Sequence, residues 1–272
     1  MNFVQKNMAG PNEHASMPTM RTLISALLLL LVLPATSALA IVNVDDAIID
    51  PKQAGFQQLA HLALDGARGN TNRVAIKGDA LSRWHHARHT EYLAVQFAYG
   101  KSLGVTDTNR IYAHARHRTQ YTERWAVEAF GQLERDPFAR LEQRLLVGGG
   151  FRLTITAQEA YAWYLGLGTF HEWERLSPLG GTRATDRRWR LSNYLLFNRR
   201  INEQLGFSTI AYYQPAWRMP GDYRVLAQSA LTVHLSDRLA LKLSADYRYD
   251  ARPPQQVKPT DVSYSTGMEF AL

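Results

Sequence analysis

Cysteine is absent from the 272-residue chain. That excludes a disulfide framework and any thiolate metal site. It fits an oxidising compartment without establishing one. Long apolar runs are missing as well. The only uncharged apolar stretch of note is "LISALLLLLVL", from Leu23 to Leu33, shorter than the ~18–20 residues a membrane-spanning helix needs. There is no block of one charge sign. Lys and Arg outnumber Asp and Glu by 31 to 24, but the basic residues alternate with apolar ones or sit beside acids in turns. Nucleic-acid binders cluster their positive charge, so no nucleic-acid partner is expected. Beyond residue 55 no amphipathic helical period is sustained.

What is present at the amino end is an export pattern. Arg21 precedes the apolar run, and "PATSALA" closes it with Ala38-Leu39-Ala40. A positive flank, a short apolar segment and a small-x-small site define a cleaved secretory signal. A transmembrane anchor is the competing reading, disfavoured by length. Residues 1–40 are therefore assigned to the signal, with Met20 expected to be the true initiator and 1–19 an upstream-start artefact. Residues 41–55, with Pro51 and Gly55 and no period, read as a periplasmic lead-in.

From residue 56 to 272 the pattern is alternation with period two, in segments of about ten residues cut by turn chemistry. "LALKLSADYRYD" (Leu239–Asp250) is the clearest case. Leu239, Leu241, Leu243, Tyr247 and Tyr249 share one face; Lys242, Asp246, Arg248 and Asp250 share the other, because successive strand side chains point to opposite sides. The same reading gives Val74, Ile76 and Trp84; Leu93, Val95, Phe97 and Tyr99; Ile111 and Ala113; Trp125, Val127 and Leu133; Leu141, Leu145, Val147 and Phe151; Trp163, Leu165 and Leu167; Trp189, Leu191, Leu195 and Phe197. Gly166 and Gly168 interrupt the seventh segment. About twelve strands result, an even number, as in closed bacterial outer-membrane barrels.

The apolar faces meet either a core or lipid. With the first strand rising from the periplasm, Trp84, Trp125, Phe151, Tyr161, Trp163, Phe197 and Phe270 fall at the lower rim. Phe97, Tyr99, Trp189, Tyr213, Tyr223, Tyr247, Tyr249 and Tyr264 fall at the upper one. Two aromatic girdles around an aliphatic band are what a bilayer selects. The lower connections are short, whereas "ERLSPLGGTRATDR", "QPAWRMPGD" and "DARPPQQVKPT" are expected to be long external loops. The fold class predicted is all-β: an antiparallel up-and-down transmembrane barrel. A soluble, apolar-inside barrel of lipocalin type is the alternative.

The charged face would then line a lumen. If Leu235 faces Leu239 across the last tight turn, Arg224 lies opposite Asp250 and Gln228 opposite Asp246, so Arg224, Asp250, Asp246, Arg248 and Lys242 are expected as lumen charge partners. Arg175, Arg183, Arg187, Arg188 and Arg190 are expected on an external loop. Guanidinium forks suit phosphate oxygens there, which makes lipopolysaccharide a candidate contact.

"GNTN" (Gly69–Asn72), "LSDRLALKLSADYRYDARPP" (Leu235–Pro254) and the closing "TDVSYSTGMEFAL" resemble the salt-induced outer-membrane protein family, YdiY-like and defined by a domain of unknown function. The resemblance implies a barrel in the outer membrane and brings no activity or site residues. The final strand, with Phe270 followed by Ala271 and Leu272, resembles the signal read by the outer-membrane assembly machinery, although the aromatic is not terminal.

No constellation specifies catalysis. His171, Glu172, Asp246 and Asp250 are candidates for the upper rim, but no Ser–His pair shares a face. An envelope lipid or peptide hydrolase is therefore carried only as a second reading. His85, His86, His89, His114 and His117 lack the spacing of a closed ligand set, so neither metal nor cofactor is expected. With about twelve strands and long polar side chains inside, the lumen is expected to be constricted, leaving at most a narrow path for small solutes. A monomer in a structural or envelope-adaptive role is the reading adopted.

Overall fold

The computed structural model describes residues 54–68, 72–179 and 182–272. The expected signal segment and all but the end of the lead-in lie outside them. The chain forms twelve strands: β1 (Gly55–Ala67), β2 (Arg73–His86), β3 (His89–Ser102), β4 (Val105–Gln120), β5 (Trp125–Asp136), β6 (Leu141–Ala157), β7 (Tyr161–Leu179), β8 (Thr182–Arg200), β9 (Leu205–Ala216), β10 (Met219–Ser236), β11 (Leu239–Asp250) and β12 (Thr260–Ala271). One 3-10 turn, Pro137–Ala139, joins β5 to β6. Each strand pairs antiparallel with its sequence neighbour, and β12 returns to β1, so the sheet closes. Closure satisfies the ladder without an edge, the condition for crossing hydrocarbon with strands.

Burial is inverted relative to a soluble protein. Leu93, Val95, Ile111, Leu133, Val147, Leu167 and Leu195 are exposed, while Arg83, Arg116, Glu128, Arg144, Glu172, Arg190 and Glu269 are buried. On β11, Tyr247 is exposed and Asp246 buried. The apolar face therefore looks outward, which overturns the apolar-inside alternative. Within each aromatic girdle, rings on neighbouring strands touch. At the rim where β1 begins and β12 ends, the terminal rim, Trp163 stacks on Phe197 at 4.4 Å. At the opposite, far rim, Trp189 lies 5.5 Å from Trp217, and Tyr223 lies 5.6 Å from both Tyr213 and Tyr249.

The loop expectation is corrected. The segment read as the loop "ERLSPLGGTRATDR" is hairpin: β7 runs to Leu179 and β8 restarts at Thr182. "QPAWRMPGD" likewise shrinks to the turn 217–218. Of the three segments, 251–259 alone remains a long connection. The reason is local. In "ATDRRWR", Asp186, Arg188 and Arg190 keep the inward parity, so a charge run that looks like a loop is strand lining a polar interior.

Two other readings needed a bulge. Leu141 was assigned to the lipid face but is buried, because the pairing shifts between Leu141 and Gln143 and reverses its side. Leu235 does not face Leu239. A shift between His234 and Ser236 pairs Ser236 with Leu239, while the ladder above keeps Arg224 opposite Asp250 and Gln228 opposite Asp246.

Glycines adapt the wall where backbone or rings approach closely. Gly150 pairs with Gly168, and a Cβ on Gly150 would lie 2.5 Å from both Gly168 Cα and the Leu167 carbonyl oxygen. Gly166 leaves room for the Tyr194 ring, which would lie 1.9 Å from a Cβ there. The glycines that interrupted the seventh segment are thus what lets β6, β7 and β8 pack. The closing ladder is the shortest: β1 pairs with β12 from Leu59–Ala271 to Leu62–Met268 among the described residues.

Candidate functional site: a lumen closed by ion pairs

The far half of the lumen is filled by an ionic lattice. Glu134 on β5 accepts from Arg110 at 3.4 Å, Arg144 at 3.4 Å and Arg248 at 3.3 Å. Glu172 on β7 accepts from Arg144 Nε at 2.6 Å, Arg190 Nε at 2.7 Å and also Arg224. Arg224 continues to Glu174 at 2.9 Å and Asp250 at 2.8 Å. Arg190 reaches Asp222 at 2.9 Å, and Arg188 joins Asp222 and Asp186. Among the described residues six arginines thus meet six carboxylates, which balances the charge of the lattice they form. Balance matters because an unpaired charge in so enclosed a space would cost several kcal/mol.

One contact decides what the lattice does. Arg248 belongs to β11 and Glu134 to β5, six places apart in a ring of twelve. Their contact therefore spans the barrel from wall to opposite wall.

A second layer lies towards the terminal rim. Glu128 accepts from Arg118 Nε at 2.7 Å and from the Tyr194 hydroxyl at 2.8 Å. It also lies 3.6 Å from Arg116 Nη1 and 3.9 Å from Arg152 Nη1. Arg116 donates to the Tyr212 hydroxyl at 3.3 Å, joining β4 to β9, with its guanidinium between the rings of Phe130 and Tyr194. Aromatic faces and guanidinium planes favour this arrangement. On the remaining wall, Lys242 pairs with Glu269 at 2.7 Å and His61 with Asp79 at 2.9 Å.

Between this layer and the terminal rim the lumen opens into a vestibule of about 1160 Å³. Arg83, Tyr92, Arg118, Arg152, Tyr164 and Asn198 form its inner wall, and the turns after β2, β4 and β6 form its mouth.

The structure places the sequence-predicted residues as follows. Arg224 and Asp250 are bonded to each other, and Asp246 accepts from Gln228 at 3.0 Å. Lys242 and Arg248 face the lumen; Lys242 pairs with Glu269 on the adjacent β12, and Arg248 with Glu134 on β5. The arginine group divides. Arg175 and Arg187 are exposed on the far extension of β7 and β8. Arg190 is 1 % exposed and Arg188 pairs with Asp222, so both belong to the lumen lattice rather than to an external loop. Arg183 lies outside the described side chains. The rim candidates for acid–base chemistry are engaged elsewhere. Glu172 and Asp250 are held by arginine, and His171 sits on the outer wall against Trp173 and Trp189 at 4.1 and 5.0 Å. Among the described residues no cluster of His, Asp and Glu is arranged to hold a metal ion.

The sequence reading missed Arg110, Glu134, Glu174 and Asp222. Parity could have found them: Glu134 shares the face of Glu128, and Asp222 that of Arg224. What parity cannot give is a partner across the ring.

A closed twelve-stranded barrel with a lipid-facing apolar wall and a polar interior is the architecture of outer-membrane barrel proteins. Solved structures agree at the level of fold. The NanC porin superimposes with a TM-score of 0.50 at 12% identity, over 79% of this chain and 100% of that one. The translocator domain of the autotransporter NalP from Neisseria meningitidis gives 0.52 at 10% identity, over 80% and 89%. No curated protein matches the sequence. The model of the family described as "Protein of unknown function, DUF481" matches residues 60–272, and the chain belongs to that family.

Proposed function

We propose that this protein is a monomeric outer-membrane barrel whose lumen is closed, serving a structural, envelope-adaptive role rather than acting as an open pore. The contact between Arg248 and Glu134 across the full lumen carries the reading. Wide aqueous pores belong to barrels of roughly 16–18 strands, and narrower barrels fill with side chains. Here the filling is ionic, hydrogen-bonded and charge-balanced. Buried pairs are screened far less by salt than exposed ones, so the closed state suits an envelope facing changing ionic strength. That gives the salt-adaptive part of the proposal its physical basis.

In this reading the rim where β1 begins and β12 ends faces the periplasm, the assembly machinery engages β12, and Arg175 and Arg187 lie at the height of lipopolysaccharide phosphates. Planar-bilayer recording tests the reading. The wild type should give no stable conductance steps at low or high salt. Regular steps of an open pore from the unmodified protein would overturn it.

A further inference from the structure

The outer wall carries a polar island at the terminal rim. His86 ends β2, His89 and Glu91 open β3, and His117 and Thr119 lie near the end of β4. All five share the parity of the lipid-facing residues Trp84, Leu93 and Ile111. The ladder sets their arrangement, pairing His86 with His89, Glu91 with His117 and His89 with Thr119. Trp84 on β2 and Trp125 on β5, both exposed, flank the island. Tryptophan on the outside of a barrel marks the headgroup level, the depth at which esters join acyl chains to glycerol.

The hydrogen bonds of the island form a chain with one direction. Glu91 Oε1 lies 3.2 Å from His117 Nδ1, and His117 Nε2 lies 3.0 Å from Thr119 Oγ1. An ionised carboxylate only accepts, so in the neutral imidazole Nδ1 carries the proton and Nε2 keeps a lone pair. The Thr119 hydroxyl therefore donates to Nε2. Its oxygen also lies 3.1 Å from His89 Nδ1. With the hydroxyl proton committed to His117, that contact is an N–H donated by His89. His86 Nδ1 stands 3.5 Å from the second Glu91 oxygen, behind the carboxylate. Carboxylate, imidazole and hydroxyl in this order are the orienter, base and nucleophile of acyl transfer. The N–H of His89 beside the nucleophile is where an oxyanion would form.

We propose that Thr119, His117 and Glu91 form an esterase site on the outer wall, acting on the acyl esters of glycerophospholipids. Thr119 is 9 % exposed beneath the His89 and His117 rings, so the ester reaches it by parting them. The His117 ring is half exposed, and such side chains change rotamer in picoseconds to nanoseconds. Thr119 Oγ1 attacks the ester carbonyl carbon as its proton passes to His117 Nε2, and His89 takes the oxyanion. Collapse breaks the bond from the acyl carbon to the glycerol oxygen, which leaves with the proton from His117. Water then attacks the acyl-threonine through the same base, releasing the fatty acid and restoring the hydroxyl. Glu91 touches no substrate; it positions the imidazole. The site needs the lipid-facing wall and makes no use of the lumen.

Fatty-acid release from mixed micelles of phosphatidylglycerol tests this. The full chain is refolded into detergent from inclusion bodies, so that no native lipase accompanies it, and the heat-unfolded protein is the blank. Wild type should release fatty acid, and Thr119→Ser should keep or raise the rate. Thr119→Val and His117→Gln should each lower it at least about a hundredfold, the scale of general acid–base catalysis. Glu91→Gln should lower kcat with KM unchanged. A fluorophosphonate probe should label Thr119→Ser at position 119 and fail to label it once His117→Gln is added. The folded band on an unheated gel shows that each variant has kept the barrel. No release by wild type above the blank, or release within tenfold of wild type in folded Thr119→Val or His117→Gln, would overturn the proposal. Either outcome leaves the closed lumen to be judged by conductance alone.

Discussion

Glu134 is the most demanding test of the closed lumen. Its carboxylate is buried and serves three guanidiniums, from Arg110, Arg144 and Arg248. Glu134→Gln keeps the shape and removes the charge. Arg144 retains Glu172 and Glu174 at 2.6 and 3.2 Å, but the carboxylate that joins Arg110 to Arg248 is gone. Removing one partner of a buried pair costs about 3–5 kcal/mol. With a denaturant slope of about 2 kcal/mol/M in urea, the unfolding midpoint should fall by roughly 1.5–2.5 M. Arg248→Ala breaks the same cross-lumen contact from the other wall, yet leaves Glu134 with two arginines. Its cost is then that of a single charge-assisted hydrogen bond, about 1.5 kcal/mol, or less than about 1 M in midpoint. The assay is urea unfolding of the lipid-reconstituted barrel, followed by loss of the folded band on an unheated gel, with planar-bilayer conductance on the same samples. Arg248→Ala should conduct where the wild type does not, because it shortens a side chain that spans the lumen. Equal destabilisation by the two variants, or a silent Arg248→Ala, would refute the reasoning.

Other consequences are local. Val95 sits midway along β3 on the outer wall, and Val95→Arg should cost about 2–4 kcal/mol in reconstituted lipid; the same change at Phe56, by the terminal rim, should cost about 1 kcal/mol or less. Gly150→Ala drives a methyl against the backbone of β7 at 2.5 Å and should destabilise by about 1–3 kcal/mol, readable as a lower melting midpoint. Tyr194→Phe removes the hydroxyl that donates to Glu128 at 2.8 Å while keeping the ring under Arg116. A loss of about 1.5–3 kcal/mol is expected in the same unfolding assay. The short seam between β1 and β12 predicts the fastest amide exchange in 63–67 and 263–267, where the ladder lapses among the described residues, and the slowest in the β7–β8 hairpin.

The wall of this protein is legible in its sequence and the lumen is only half so. Alternation assigns Leu93, Trp125, Leu195 and Tyr247 to lipid because lipid is one solvent with one demand, and every outward residue meets it alone. Hairpin register adds Arg224–Asp250 and Gln228–Asp246, because neighbouring strands are neighbours in sequence. It survived even a misplaced turn, since the bulge at Leu235 lies below both pairs. Leu141 was misread because a bulge carries no alternation signal of its own. Arg188 and Arg190 were misread because a charged stretch satisfies two environments equally, a solvated loop and an ionic lumen.

Arg248 and Glu134 show the limit most plainly. They are 114 residues apart and share no hairpin, so their meeting depends on how many strands close the ring and with what stagger. The contact from wall to wall is a property of the closed ring rather than of any hairpin, which is why parity and local register reach both residues and not their meeting.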